Sequence, residues 1–284
     1  VMTKREVFEK IGYLDTIWGI GYGDDTDFCI RARLAGYHVA SYVNGWDKVT
    51  KGPVGTFPIS HTAENTMHSG RLFSLEDWDE QAAKNLNRLA ERYWEKVHVV
   101  MPVYKRYIKL EKALQSLRDQ NYWNFVVHVV ADGHDPKIQE IVERLQKEWA
   151  GECRQTLEYS YVEHEGKFGA LPRISVLDRL ENKTNEWVCF CDSDNTVDPN
   201  WILRLWQATF LRDVGGSWCK IFHREANHET PQEKFRTYPV WQDVDALNYF
   251  VRADIAKKHA QKWQHNPVIP LTVTHDFDFA KACF

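Results

Sequence analysis

Long apolar runs are missing from this 284-residue sequence. None approaches the roughly 18 residues that a membrane-spanning helix needs, and no signal peptide is visible, so no transmembrane segment is expected. A basic excess is missing too: 36 Lys and Arg stand against 40 Asp and Glu, a net charge of −4. Such a chain has no general attraction for nucleic-acid phosphates or anionic lipid, and no nucleic-acid partner is expected. There is no Cys-x-x-Cys pair among the six cysteines, Cys29, Cys153, Cys189, Cys191, Cys219 and Cys283. They read as reduced thiols. With no leader in sight, the expected location is cytoplasmic, with peripheral attachment to a membrane left open. An initiator methionine is also missing at Val1, as it would be in a fragment.

What is present is ample core material: 43% apolar residues, 12 Trp and 14 Phe, in a length that suggests about two domains. Residues 71–96 carry a Ser74-x-x-Asp77 capping pattern and strong helix formers with helical apolar spacing, which predicts a connecting helix. The periodicity then changes. "VHVVMPV" from Val97, "FVVHVVA" from Phe125, "LEYSYV" from Leu157 and "WVCFC" from Trp187 are short β-rich runs separated by amphipathic helical stretches. That alternation predicts βαβ units and a parallel sheet, with ligands gathering at the carboxyl ends of the strands. Polar motifs sit at those ends: "ADGHD" after the second run, "HEGKFGALPR" after the third and "DSDN" after the fourth. Three distant loops should therefore meet in one crevice.

Asp192-Ser193-Asp194 places two carboxylates where the chain leaves the sheet, with the side chain between them pointing away. Hard oxygen donors so arranged suit Mg²⁺ or Mn²⁺, which would bridge the phosphates of a nucleotide. Taken alone, the pattern is also an ordinary solvated turn, with Asp198-Pro199 capping the next helix. A second acidic pattern occurs twice. Asp25-Thr26-Asp27-Phe28 aligns with Asp276-Phe277-Asp278-Phe279 at a period of 276 − 25 = 251 residues, the size of a domain. Upstream, "VMTKREVFEKIGYLD" and "YFVRADIAKKHAQKW" both read as a strand end, a basic residue and a short helix.

In combination, "VHVVMPVYKR", "VVHVVADGHD", "EHEGKFGALPRISVL" and "WVCFCDSDN" resemble, in order and spacing, the family 2 glycosyltransferases of the GT-A fold. The resemblance implies an α/β, Rossmann-like nucleotide-sugar-binding sheet with helices on both faces. It implies that Asp132, with Gly133, binds the nucleotide base, that Arg173 contacts the nucleotide, that Asp192 and Ser193 lie at the ribose, and that Asp194, with Asp192, binds the metal. The implied cofactors are Mn²⁺ or Mg²⁺ and a nucleotide-sugar donor, UDP-sugar first among them; the implied partner is a glycan or glycoconjugate acceptor. By the same resemblance Asp25 and Asp276 are general bases facing the acceptor, and His61 in "FPISHTAENT" completes a metal site or contacts the diphosphate. The second acidic copy departs from the pattern, with His275 where an acid is usual and no Arg following.

The expected organisation is the C-terminal, acceptor-side part of one transferase domain at 1–70, a connecting helix at 71–96, and a second transferase domain at 97–284, truncated at its end. Packing of 1–70 against that second domain is left open. The expected activity is metal-dependent, inverting glycosyl transfer to a glycan in polysaccharide or glycoconjugate synthesis. The alternative is a GT-A domain that binds a nucleotide sugar or glycan as a scaffold, a reading that His275 favours. A nucleotidyltransferase on a related sheet would carry a glycine-rich loop near its first strand, and "MPVYKRYIKL" has no glycine.

Overall fold

The computed structural model describes residues 3–19, 23–39, 45–47, 52–54, 75–152, 155–164, 166, 169–210, 212, 214–219, 222–223, 228–229, 246, 249–263 and 274–283. The chain forms two compact units, Val1–Trp94 and Glu95–Phe284.

In the first unit, helix α1 (Arg5–Ile11) ends at Gly12, whose φ of 80° a side chain would resist. A 3₁₀ turn at Thr16–Trp18 follows, its start capped by the Asp15 carboxylate, which accepts from the Ile17 N–H at 3.1 Å. Helix α2 (Asp24–Leu34) has Asp24, Asp25 and Asp27 in its first turn and Arg31 and Arg33 in its last, the arrangement that complements the helix dipole. Its cap, Gly23, has φ 111°, and a Cβ there would lie 2.9 Å from the Trp18 indole. Only glycine fits. Val7, Phe28 and Ala32 form the small core between α1 and α2. Strands β1 (Gly45–Asp47) and β2 (Gly52–Val54) pair antiparallel.

Helix α3 is Leu75–Tyr93, so the helix expected over 71–96 ends before Trp94, and residues 71–74, with Ser74 of the anticipated cap, lie outside the described residues. The helix is packed rather than free-standing. Asn85 donates to the Trp18 carbonyl at 2.8 Å, Arg88 to the Ile17 carbonyl at 2.8 Å, and Arg92 reaches Asp15 at 3.0 Å. The Tyr93 hydroxyl donates to Asp27 at 2.5 Å. Burial, reinforced by that carboxylate, pushes the Tyr93 phenol well above its ordinary pKa and keeps it a donor.

The second unit is built on a six-stranded sheet. Strand β3 (Lys96–Val103) leads to α4 (Tyr107–Arg118), β4 (Phe125–Asp132) to α5 (Pro136–Glu152), and β5 (Thr156–Val162) to α6 (Ala170–Arg179). After β6 (Glu186–Phe190) come α7 (Trp201–Thr209) and β7 (Gly216–Trp218). A short antiparallel pair, β8 (Phe222–His223) with β9 (His228–Glu229), precedes β10 (Tyr249–Arg252), α8 (Ala253–Lys258), a 3₁₀ turn at Ala260–Trp263 and α9 (Thr274–Cys283).

Strands β5, β4, β3 and β6 are parallel, as the alternating pattern requires. Every residue of β4 and seven of eight in β3 are buried, which happens when both faces of a sheet are covered. The sheet is nevertheless mixed, because β10 runs antiparallel to β6 and to β7. One core spans Val100, Val130, Ile174, Leu177, Phe190, Tyr249, Trp263 and Phe279. Phe279 is fully buried against Phe190, Tyr249 and Trp263, which seats α9 beside β6 and β10.

A polar row crosses the amino-terminal half of the parallel strands. His128 Nδ1 lies 3.0 Å from Glu158, His128 Nε2 lies 3.0 Å from His98 Nδ1, and His98 Nε2 lies 3.0 Å from Glu186. Burial pushes the His98 imidazolium down to about 4. The hydrogen bond from His128 holds Glu158 below its ordinary value. Burial works to raise Glu186, but the hydrogen bonds from His98 and Lys183 outweigh it and hold Glu186 low.

Candidate active site

The carboxyl ends of β3, β4 and β5, the loop after β6 and the start of α6 enclose a crevice of about 440 Å³. Pro102, Val103, Tyr104 and Arg106 line it from β3 and the turn beyond. Asp132 enters from the end of β4, His164 and Gly166 from the loop after β5, Gly169 from the cap of α6, and Asp192, Ser193 and Asp194 from the loop after β6. The sheet order explains the convergence, since β5, β4, β3 and β6 are consecutive neighbours.

Asp132 is 8% exposed and closes β4. The chain turns at Gly133, φ 94°, whose N–H donates to the Val162 carbonyl at 2.9 Å. Across the crevice Cys191 continues the ladder by donating to Val100 at 3.1 Å, and the Asn195 N–H closes a turn on the Asp192 carbonyl at 2.9 Å. Ser193 is buried at 3% exposure, while the carboxylates on either side remain partly open.

Each of these carboxylates faces a cation. Arg173 donates to Asp192, and Arg106 donates to Asp194, with the Lys109 ammonium 4.0 Å from the same carboxylate. Arg173 is buried on α6, its guanidinium 4.6 Å from the Trp263 ring centre. Gly169 makes room for this packing: a Cβ there would lie 2.7 Å from Pro102 and 3.1 Å from Arg173 Nη1.

Among the described residues no three His, Cys, Asp or Glu side chains are grouped closely enough to cage an ion. The donor chemistry does fit a hard cation that also takes oxygens from a ligand: Asp192 and Asp194 are carboxylates on one turn, opening on the crevice. In this structure their charge is balanced by Arg173 and Arg106 instead.

Asp132, Asp192, Ser193 and Asp194 therefore share one crevice, Arg173 touches it through Asp192, and Gly133 is the next residue along from Asp132. Asp25 is not among them. It lies in the first unit, exposed on the first turn of α2, accepting from the Thr26 N–H at 2.7 Å. Asp276 lies in α9, with its side chain outside the described residues, as is His61 altogether. Sequence reasoning passed over Tyr104, Arg106 and His164, although all three fall inside stretches it had singled out. A further signal is visible only in the backbone: Lys105, between Tyr104 and Arg106, has φ 51°, the single positive value at a non-glycine among the described residues.

No described helix is long and apolar enough to cross a membrane. No curated protein sequence matches the chain. Among solved structures, the 1–349 fragment of S. aureus TarS in complex with UDP-GlcNAc is 18% identical with a TM-score of 0.49, over 66% of this chain and 53% of that one. The mannosyltransferase PcManGT from Pyrobaculum calidifontis, in complex with GDP-Man and Mn²⁺, is 17% identical with a TM-score of 0.45, over 72% and 59%. The chain thus spans between half and two thirds of the length of these two structures. Residues 98–248, just over half of the chain and all in the second unit, match the family model described as Glycosyl transferase family 2. With the α/β sheet and the crevice at its strand ends, that match places the chain in glycosyltransferase family 2.

Proposed function

We propose that the chain is part of a metal-dependent, inverting glycosyltransferase that moves a sugar from a nucleotide-sugar donor, UDP-sugar first, to a glycan or glycoconjugate acceptor. The observation that carries this reading is the meeting of Asp132, Asp192 and Asp194 with Arg106 and Arg173 in one crevice of a family 2 member. Both complexes named above hold a nucleotide sugar, one of them with Mn²⁺.

In this reading Asp132 holds the base, Asp192 and Ser193 lie at the ribose, and Arg173 contacts the nucleotide. Asp194, with Asp192, would hold Mn²⁺ or Mg²⁺, which when bound supplies positive charge to the departing diphosphate. A sugar hydroxyl is a poor nucleophile. A carboxylate takes its proton as the oxygen bonds to the anomeric carbon, and the bond from that carbon to the diphosphate breaks on the opposite face, which inverts the configuration. Asp276 is the proposed base in the second domain and Asp25 in the first, where His61 is the proposed companion of the metal.

One element pattern, present in both units, supports the tandem. A basic cap in extended conformation, a short helix, a 3₁₀ turn and an acidic helix occur in each unit: Lys4, α1, Thr16–Trp18 and α2, then Arg252, α8, Ala260–Trp263 and α9. The paired helices begin 24 − 5 = 19 and 274 − 253 = 21 residues apart. Phe28 and Phe279, each three residues beyond its acid, are both buried.

A second reading, a domain that binds the donor without turning it over, is favoured by His275, which stands where an acid is usual, and by a missing Arg. Arg31, which pairs with Asp27 at 2.7 Å, aligns with Ala282 in the later copy. Replacing Asp276 with Asn separates the two. A catalytic base should leave donor affinity within about twofold while transfer falls about 10²- to 10⁴-fold. Transfer at the wild-type rate would remove Asp276 from the mechanism.

A further inference from the structure

His164 belongs to no role assigned so far, yet it lines the crevice. Its ring stacks on Tyr104 with centroids 4.7 Å apart and planes 7° from parallel. Its Nδ1 lies 3.2 Å from Asp132 Oδ1. A carboxylate only accepts, so Nδ1 carries the proton toward it. The backbone makes space for this placement: Gly133 has no side chain, and a Cβ there would come 3.2 Å from His164 Cβ. A flat nitrogen heterocycle stacked on an aromatic ring, donating N–H to a carboxylate, is what a nucleobase would present at the same place.

We propose that His164 is an internal occupant of the nucleobase end of the crevice, and that a nucleotide binds by displacing its imidazole from Tyr104 and Asp132. The inference rests on the nucleotide-sugar reading above and adds a residue that sets donor affinity. The His164 side chain is 49% exposed. Rotation away from the crevice therefore returns it to water without opening a cavity in the core. A nucleobase offers a larger stacking surface and brings a ribose and diphosphate for the groups around Asp192 and Asp194. The apparent affinity of the donor is then lowered by the fraction of molecules in which the imidazole is seated, as for any ligand whose competent state is partly populated.

The test is calorimetric titration of UDP, GDP and CDP into the intact chain and into His164→Ala and His164→Phe, with thermal transitions confirming that each variant is folded. His164→Ala should bind the preferred nucleotide about tenfold tighter than wild type. His164→Phe, which keeps the stack but loses the Asp132 contact, should fall between the two. In wild type, the His164 Cε1–H resonance, shifted by the Tyr104 ring in the free protein, should move toward its solvent-exposed position at saturation. Equal or weaker binding by His164→Ala overturns the proposal and leaves the nucleotide reading standing, because wild type would still bind. A resonance that stays in place while nucleotide saturates the site overturns it in the same way. If neither wild type nor His164→Ala binds any of the three nucleotides, the underlying reading fails and the displacement with it. Binding by His164→Ala alone supports displacement.

Discussion

Asp25 and Asp27 sit two positions apart on α2 and have opposite surroundings. Asp25 is open to solvent and accepts from the Thr26 N–H of its own turn, whereas Asp27 is fully buried among Arg31, Arg92 and Tyr93. The "DDTDF" pattern was legible in the sequence, but the division of labour within it was not, because Arg92 and Tyr93 arrive from more than 60 residues away. The same holds in the crevice: Asp132, Asp192 and Asp194 stood out as strand-end acids and Arg173 as part of a motif, while Arg106, which balances Asp194, had no spacing of its own. At this scale the metal assignment can be tested. Asp194→Ala should abolish the Mn²⁺-dependent part of nucleotide affinity measured by calorimetry while leaving metal-free binding near that of wild type. Equal gains from Mn²⁺ in both proteins would transfer the metal to other ligands.

Among the elements, the four parallel strands were readable because each is a short β-rich run bounded by turn residues and separated from the next by a helical stretch. The antiparallel addition of β10 and β7 was not, since β7 is three residues long and strand direction leaves no mark in a short apolar run. The packing of α3 within the first unit was likewise hidden, because its contacts include hydrogen bonds to carbonyls, to Asp15 and to Asp27. Those contacts make Asp27 the tie between α1, α2 and α3, with Arg31 also donating to the carbonyls of Ile11 at 2.6 Å and Tyr13 at 2.8 Å. Asp27→Ala leaves the guanidinium without its buried partner and should cost the first unit about 3–5 kcal/mol, seen as a lowered thermal transition.

The polar row across β5, β4, β3 and β6 carries a pH signature. His98, Glu158 and Glu186 are all held below their ordinary values, so the unfolded chain binds more protons than the folded one as the solution is acidified. Stability contributed by the row is present above about pH 6.5 for His98 and about pH 4.5 for the glutamates, and is lost as pH falls through the lower folded values. Urea midpoints should therefore decrease from pH 7 to pH 4.5, and His98→Gln should flatten that decrease. A midpoint that rises on acidification would count against the row as described.

For the whole molecule, the chain forms two compact units, with the family match confined to the second. A cap, short helix, 3₁₀ turn and acidic helix occur in both units, and the proposed tandem rests on that recurrence. The two stretches pack against different neighbours, Phe28 against Phe8, Phe279 against Phe190 and Trp263. The central proposal, donor turnover at the crevice of the second unit, is tested most directly by diphosphate release. The intact chain, given a panel of UDP- and GDP-sugars, should release nucleoside diphosphate in the presence of Mn²⁺, stop when the ion is chelated, and lose the activity in Asp132→Ala and Asp194→Ala. Saturable binding of a nucleotide sugar with no diphosphate released, or release that is indifferent to both substitutions, would show that the crevice is not where a donor is consumed.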